Sequence, residues 1–327
     1  MRLCRRVGAF ALCLLATHSV AWNDVGHKLV ALVAYDSLPE NARETLLLHL
    51  RAHPRFDEDF VAPMPAGVRR GARAEQDRWL FTMASEWPDV TRHFDHVRSL
   101  EARERLVTRY HHPRWHYINL PLFLDDADRA RLMPLATNDA LLPRAGVRPD
   151  EFNLVQALVR LLADYRSPGT AAADRAVMLC WILHLMADLH QPLHTVAFFT
   201  SGAFPEGDRG GNLVRVGQRT NLHGLWDSAA GHDDRWGALL RVLGKLPRSV
   251  EAARSIDLAA CAREGQALAA DRVYVPSIRE AMRRARMAPV RVDLPQGYLG
   301  RMRATAERQI VLAGRRTATV VMRLTRD

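Results

Sequence analysis

From Ala176 onwards the sequence becomes apolar almost throughout, and into that run are set His184, Asp188 and His190, followed by Pro192 and His194. A helix that is apolar on every side belongs inside a core, so the rest of the chain has to be built around it. His184 and Asp188 are four residues apart, which puts them on one helix face where both can grip one ion. Pro192 cannot extend the hydrogen-bond ladder, so the helix ends or kinks before it and His194 points to a different place. A buried charge left without its partner costs about 3–5 kcal/mol. A metal ion at Asp188 removes that penalty most simply.

The first 21 residues read separately. Met1-Arg2-Leu3-Cys4-Arg5-Arg6 is basic, residues 7–15 are apolar, and Ser19-Val20-Ala21 supplies small residues before a cleavage point. This is the pattern of a secretory signal cut between Ala21 and Trp22, with an uncleaved anchor as the other reading. No other run approaches about 20 uncharged apolar residues, so a secreted or periplasmic protein without a membrane span is expected. Cleavage removes Cys4 and Cys13 and leaves Cys180 and Cys261, enough for one disulfide at most. Cys180, in its apolar run, fits a buried thiol equally well. Loss of Arg2, Arg5 and Arg6 lowers the net charge from +10 to +7, nearly all of it arginine. That balance suits polyanions such as nucleic acid, and it suits plain solubility as well.

The chain has 327 residues, 48% apolar and 25% charged, as a globular protein does. Trp22 to Tyr35 reads as a short loop entering a helix with Leu29, Val30, Leu32 and Val33 inward, and Pro39-Glu40-Asn41 starts a second helix to about Leu50. Residues 51–71, with Pro54, Pro63, Pro65 and Gly67, read as a surface loop. Ala72 to Ser85 is helical and runs into Glu86-Trp87-Pro88-Asp89. Arg98 to Arg109 is charged and solvated, Trp115 to Leu120 fits a strand or a helix start, and residues 125–150 show no period and read as loop. Leu154, Leu158, Leu161 and Leu162 make Asn153 to Tyr165 an amphipathic helix. Gly202 to Gly217 is glycine-rich with a candidate hairpin at Asn212 to Val216. Asn221 to Ala230 begins another helix, and Pro295 to Leu324 is the last, weakest at Gly314. The expected fold class is mainly all-α, one multi-helical domain over residues 22–327 with a small β-hairpin and long loops.

His223 and Asp227 repeat the four-residue spacing of His184 and Asp188. One such pair ordinarily makes a hydrogen bond and nothing more. Two pairs, both in apolar sequence, point to metal. His27, Asp89 and His116 are further ligand-type residues in aromatic or apolar surroundings. The histidines at 49, 53, 93, 96, 111, 112 and 232 have charged or loop-like neighbours and read as surface. His190, turned away from the His184 face, takes a structural role. With His194 these make eight ligand-type side chains. Imidazole and carboxylate without thiolate suit zinc, with manganese or iron as alternatives, and a catalytic zinc takes about three protein ligands. Eight therefore serve two or three ions, an arrangement that favours phosphoryl chemistry.

Taken in order, Trp22-x4-His27, Ala84-Ser85-Glu86-Trp87-Pro88-Asp89, Trp115-His116-Tyr117, His184-x3-Asp188-x5-His194, Gly207-Asp208-x-Gly-Gly211-Asn212 and His223-x3-Asp227 resemble the tri-zinc, single-strand-specific S-one/P-one nucleases. These are relatives of the bacterial zinc phospholipases C, and the resemblance spans Trp22 to about Leu324. It implies that Asp89, His116, His184 and Asp188 bind one zinc. Trp22, through its α-amine and carbonyl, and His27 bind a second, bridged by Asp188. His194, His223 and Asp227 hold the third. An α-amine at Trp22 exists only after signal cleavage, so the resemblance couples export to metal assembly. It also implies in-line hydrolysis that leaves a 5′ phosphate, with Asp188 orienting the attacking water. Arg92 and Asn212 attend the phosphate, and Tyr117 stacks on the base.

Two positions depart from the family pattern. Asn119 stands where many relatives carry Asp, and it can donate as well as accept, so their base preference does not transfer. The Ala84-to-Asp89 segment is one residue longer than the commoner spacing. The expected substrates are single-stranded DNA and RNA and 3′-mononucleotides, handled by a monomer. A zinc phospholipase C is the alternative enzyme, disfavoured by the basic balance, by Trp115-His116-Tyr117 and by Asp at 227. A metal- or nucleic-acid-binding protein without catalysis is the alternative class.

Overall fold

Asn23 opens the first helix of the computed structural model, which describes residues 22–135, 137–142, 146–248, 250 and 256–326. Its side chain accepts from the Gly26 amide and so caps α1 (Asp24–Ser37). The predicted leader, residues 1–21, lies outside the described residues. Pro39 precedes α2 (Glu40–Leu50). The stretch expected to be surface loop instead contains a π-helical turn at Asp57–Val61 and α3 (Ala66–Arg69), and it buries Phe60 and Met64 in the core. α4 (Arg73–Val90) continues through Pro88 and carries Asp89 in its last turn.

The charged segment that follows is α5 (Leu100–Tyr110), in which Tyr110 alone is buried. An irregular approach through Trp115 leads to β1 (Leu120–Phe123). Part of the next predicted loop is α6 (Asp126–Leu132). Its cues are local. Asp125 caps it, acids fill its first turn, and Arg129 and Arg131 sit in its last, each favourable to the helix dipole. α7 (Leu154–Tyr165) begins with a reciprocal capping box between Asn153 and Gln156.

α8 (Ala172–Asp188) is the apolar run, and from Leu179 to Asp188 every side chain is buried. It packs against α1, α2, α4 and α7. The helix stops at Asp188, the chain turns, and Pro192–His194 forms a 3₁₀ turn entering β2 (Val196–Phe199). β2 lies parallel to β1, with Leu120 opposite Val196. The break expected at Pro192 is therefore real.

β3 (Val214–Val216) and β4 (Thr220–Asn221) make the expected hairpin. They are followed by α9 (Leu222–Asp227), α10 (Trp236–Leu243), α11 (Leu258–Leu268) and α12 (Pro276–Arg284). β5 (Val290–Val292) adds a parallel strand beside β3, making three strands, and α13 (Tyr298–Met322) closes the fold against α1 and α8. Gly314, read as the weak point of this helix, is a contact point. A Cβ there would lie 2.5 Å from the Val33 Cβ and 2.8 Å from the Val30 carbonyl oxygen. Cys180 and Cys261 are both buried and free, so no disulfide joins them. Among the described residues no helix is long and apolar enough to cross a membrane.

Candidate metal centre

The last turn of α8 faces the last turn of α4, the first turns of α1 and the loop after α5. His184 donates from Nδ1 to the Ser85 carbonyl at 2.8 Å, which turns Nε2 towards Asp188 Oδ2 (3.2 Å) and Asp89 Oδ1 (3.7 Å). His116 places Nδ1 3.1 Å from Asp188 Oδ2 and 3.0 Å from His184 Nε2. On the other side, His27 stacks flat on the His184 ring, centroids 3.8 Å apart and planes within 9°. Its Nε2 is 3.4 Å from Asp188 Oδ1. Asp188 thus turns one oxygen to each neighbour set. Two groups of ligand atoms result, His27 with His184 and Asp188, and Asp89 with His116 and His184, each within 4.8 Å.

A third group comprises His194, His223 and Asp227. His194 donates from Nδ1 to the His116 carbonyl (2.6 Å) and His223 from Nδ1 to the Gly210 carbonyl (2.7 Å). A carbonyl only accepts, so in each ring the hydrogen sits on Nδ1. The two Nε2 atoms then face each other across 3.2 Å, with Asp227 Oδ1 3.7 Å from His194 and Oδ2 3.5 Å from His223. Gln191 donates to Asp227 Oδ1 at 2.7 Å and orients that carboxylate. Asn221 caps α9 through the Gly224 amide and so fixes the helix that carries both residues.

Among the described residues several of these atoms have no hydrogen-bond partner. Both ring nitrogens of His27, His116 Nε2, Asp89 Oδ2, Asp188 Oδ1 and Asp227 Oδ2 are buried without a hydrogen-bond partner. Such atoms are costly to bury unless something else meets them. Burial pushes the Asp227 carboxyl up to about 8 and raises Asp89. It also lowers His27, His116, His194 and His223. For Asp188 burial acts upwards, but the imidazoles, His184 and His194 first, outweigh it and hold the carboxyl well below the usual range. A divalent cation fits each group, and imidazole with carboxylate is a borderline-to-hard donor set.

The other predicted residues lie around this centre. Trp22 is fully buried, and its Nε1 donates to the Ala187 carbonyl (3.1 Å), one residue before Asp188. Gly26 makes room for it, since a Cβ there would lie 2.8 Å from the Trp22 Cβ. The Asn23 amide donates to the Asp227 carbonyl (3.2 Å), tying the same segment to the third group. Arg92 is largely buried with Nη2 2.7 Å from Asp89 Oδ1, and its charge acts on His116, His194 and Asp227. Asn212 accepts from the Asn221 side chain (3.2 Å) and so adjoins α9. Tyr117 is 38% exposed beside buried His116, and half-buried Asn119 donates its amide to the Asn138 carbonyl at 3.5 Å.

His190 stands apart, as expected. It donates to the Met186 carbonyl (2.8 Å) and its Nε2 accepts from Arg316 (3.2 Å). Among the histidines read as surface, His53 is a correction. It is buried, edge-on to Phe60 and Trp87, because the π-helical turn folds over it. His112 stacks on Trp115 and burial lowers it to about 4. Sequence reasoning missed the carbonyls of Ser85, His116 and Gly210 that aim the ligands. A backbone acceptor leaves no mark on residue identity, except that Gly210 and Gly211 advertise an unusual turn.

Among the described residues, a mainly helical frame encloses three His/Asp groups that could each hold a metal ion, two of them sharing His184. The S1/P1 nuclease family model matches residues 22–326, and the chain belongs to that family. Membership implies a nuclease, a hydrolase whose substrate is nucleic acid. No curated protein matches the chain significantly.

Proposed function

We propose that this protein is an exported three-zinc phosphodiesterase that cuts single-stranded DNA and RNA to 5′-phosphorylated products and also removes phosphate from 3′-mononucleotides. The observation that carries the reading is the pair of facing Nε2 lone pairs on His194 and His223, with an unpartnered Asp227 oxygen beside them. Asp89, His116, His184 and Asp188 would hold one zinc, and His27, Asp188 and the α-amine of Trp22 a second. His194, His223 and Asp227 would hold the third. Bound there, the ions would supply activation of water and neutralisation of charge on the phosphate and the departing 3′ oxygen.

The remaining roles belong to the chain. Asp188, between two groups, orients the attacking water. Arg92, held by Asp89, offers donors to charge that develops on the phosphate. Asn212 supplies an amide at the rim, where Asn221 steadies it. Tyr117 offers an exposed ring for one base, a contact worth about 1–3 kcal/mol and nearly indifferent to base identity. A paired base is unavailable to that ring, so duplex is a poor substrate. Asn119 would read the base edge with both donor and acceptor. Cleavage before Trp22 frees the amine, and the burial of Trp22 beside Ala187 supports that assignment.

The test is digestion of matched single-stranded and duplex DNA and RNA, with end-group analysis and a 3′-mononucleotide assay. Faster loss of single strands with 5′-phosphate ends supports the reading. A preference for duplex contradicts it, as does release of phosphocholine from lipid with no nucleotide released.

A further inference from the structure

Asp208 is fully buried although it belongs to none of the three ligand groups. One carboxylate oxygen accepts from the Phe198 amide at 2.9 Å and the other from the Tyr274 hydroxyl at 2.5 Å. The amides of Gly211 and Gly210 add to that pull. The loop around it is left-handed at Gly207, Arg209, Gly210 and Gly211, with φ of 88°, 56°, 59° and 84°. Arg209 bears a side chain there, a conformation that persists only where the surroundings hold it. Gly210 has no alternative residue, since a Cβ would lie 2.5 Å from the Leu193 carbonyl oxygen. What this loop delivers is the Gly210 carbonyl, 2.7 Å from His223 Nδ1.

We propose that Asp208, clamped by Tyr274, is a positioning residue for the ion held by His194, His223 and Asp227. It gathers donors on one buried carboxylate and locks the loop in the form that presents Gly210 to His223. That contact fixes the His223 tautomer and aims Nε2 at the ion. Partners behind a ligand of this kind typically change metal affinity about 10–100-fold when removed. The inference rests on the three-zinc reading above. It goes beyond that reading in assigning a task to a residue that touches neither ion nor substrate.

The experiment is dialysis of the holoenzyme against graded chelator, with zinc counted per chain, for the wild type, Asp208→Ala, Tyr274→Phe and His223→Ala. His223→Ala identifies which ion belongs to the third group. Asp208→Ala is expected to weaken that ion about 10–100-fold and leave the other two within about twofold. Tyr274→Phe keeps the carboxylate and moves the same ion in the same direction by a smaller factor. Asp208→Ala that folds and holds the third ion within about twofold of wild type overturns the inference, and so does equal loss of all three ions. Should that variant not fold, Tyr274→Phe decides by the same criterion. If His223→Ala costs no ion, the three-zinc reading falls and takes this inference with it.

Discussion

His194 and His223 point their Nε2 atoms at each other across 3.2 Å. Each ring gives its Nδ1 hydrogen to a backbone carbonyl, His116 for one and Gly210 for the other. Two lone pairs face to face in a buried site repel, and a carboxylate beside them adds to the repulsion. A cation between them turns all three into ligands. The acceptors and the backbone carbonyls behind them are in place, an arrangement that could hold a metal ion.

Asp227 should make this centre pH-dependent. Burial pushes its carboxyl up to about 8, and Glu86, raised by burial to about 7, acts the same way. A carboxyl whose pKa is higher folded than unfolded stabilises the fold fully below about 4, and that contribution is lost as pH rises through about 8. The metal-free protein should therefore lose melting temperature between about pH 4 and 8, and added zinc should restore it. Zinc needs the carboxylate, so uptake at neutral pH displaces about one proton at this group. Calorimetric titration in buffers of different ionisation enthalpy measures that proton, and its absence contradicts the assignment.

Tyr117 should act in binding and hardly in turnover. Tyr117→Ala is expected to raise KM for single-stranded substrate by a factor corresponding to about 1–3 kcal/mol, with kcat little changed. Steady-state kinetics on a short oligonucleotide measures this. A fall in kcat at constant KM would assign the ring another task.

Asp188→Asn replaces one oxygen of the carboxylate that faces both the His27 and the His116 sides. The expected outcome is a loss of activity greater than about a hundredfold together with a fall in bound zinc. Unchanged nuclease activity would mean that the activity does not run through this centre.

Gly314→Ala tests the close approach of α1 and α13. The added methyl meets Val33 and the Val30 carbonyl, so α1 and α13 have to part, at about 1–3 kcal/mol. Urea unfolding reads the change. A stabilised variant, as helix propensity alone would give, contradicts the packing argument.

The His/Asp groups were legible in the sequence because a helix turns spacing into geometry. His184 with Asp188, and His223 with Asp227, are four apart and land on one face. Pro192 marked the break that separates His194, and the turn of about 100° per residue set His190 aside. What was illegible came from backbone and from tertiary packing. The Ser85 and Gly210 carbonyls carry no residue signature, and burial of His53 arises from the fold of a segment that reads as polar loop. Gly314 looked weak because propensity does not see Val33 across the helix pair. α10, α11 and α12 lie where the sequence offered no reading.

Each of the three His/Asp groups is expected to hold its own ion. The decisive measurement is elemental analysis of the protein starting at Trp22, purified without added metal or chelator, run beside His223→Ala. About three zincs per chain are expected in the wild type and about two in the variant. Fewer than three in the wild type, or the same count in both proteins, would contradict it.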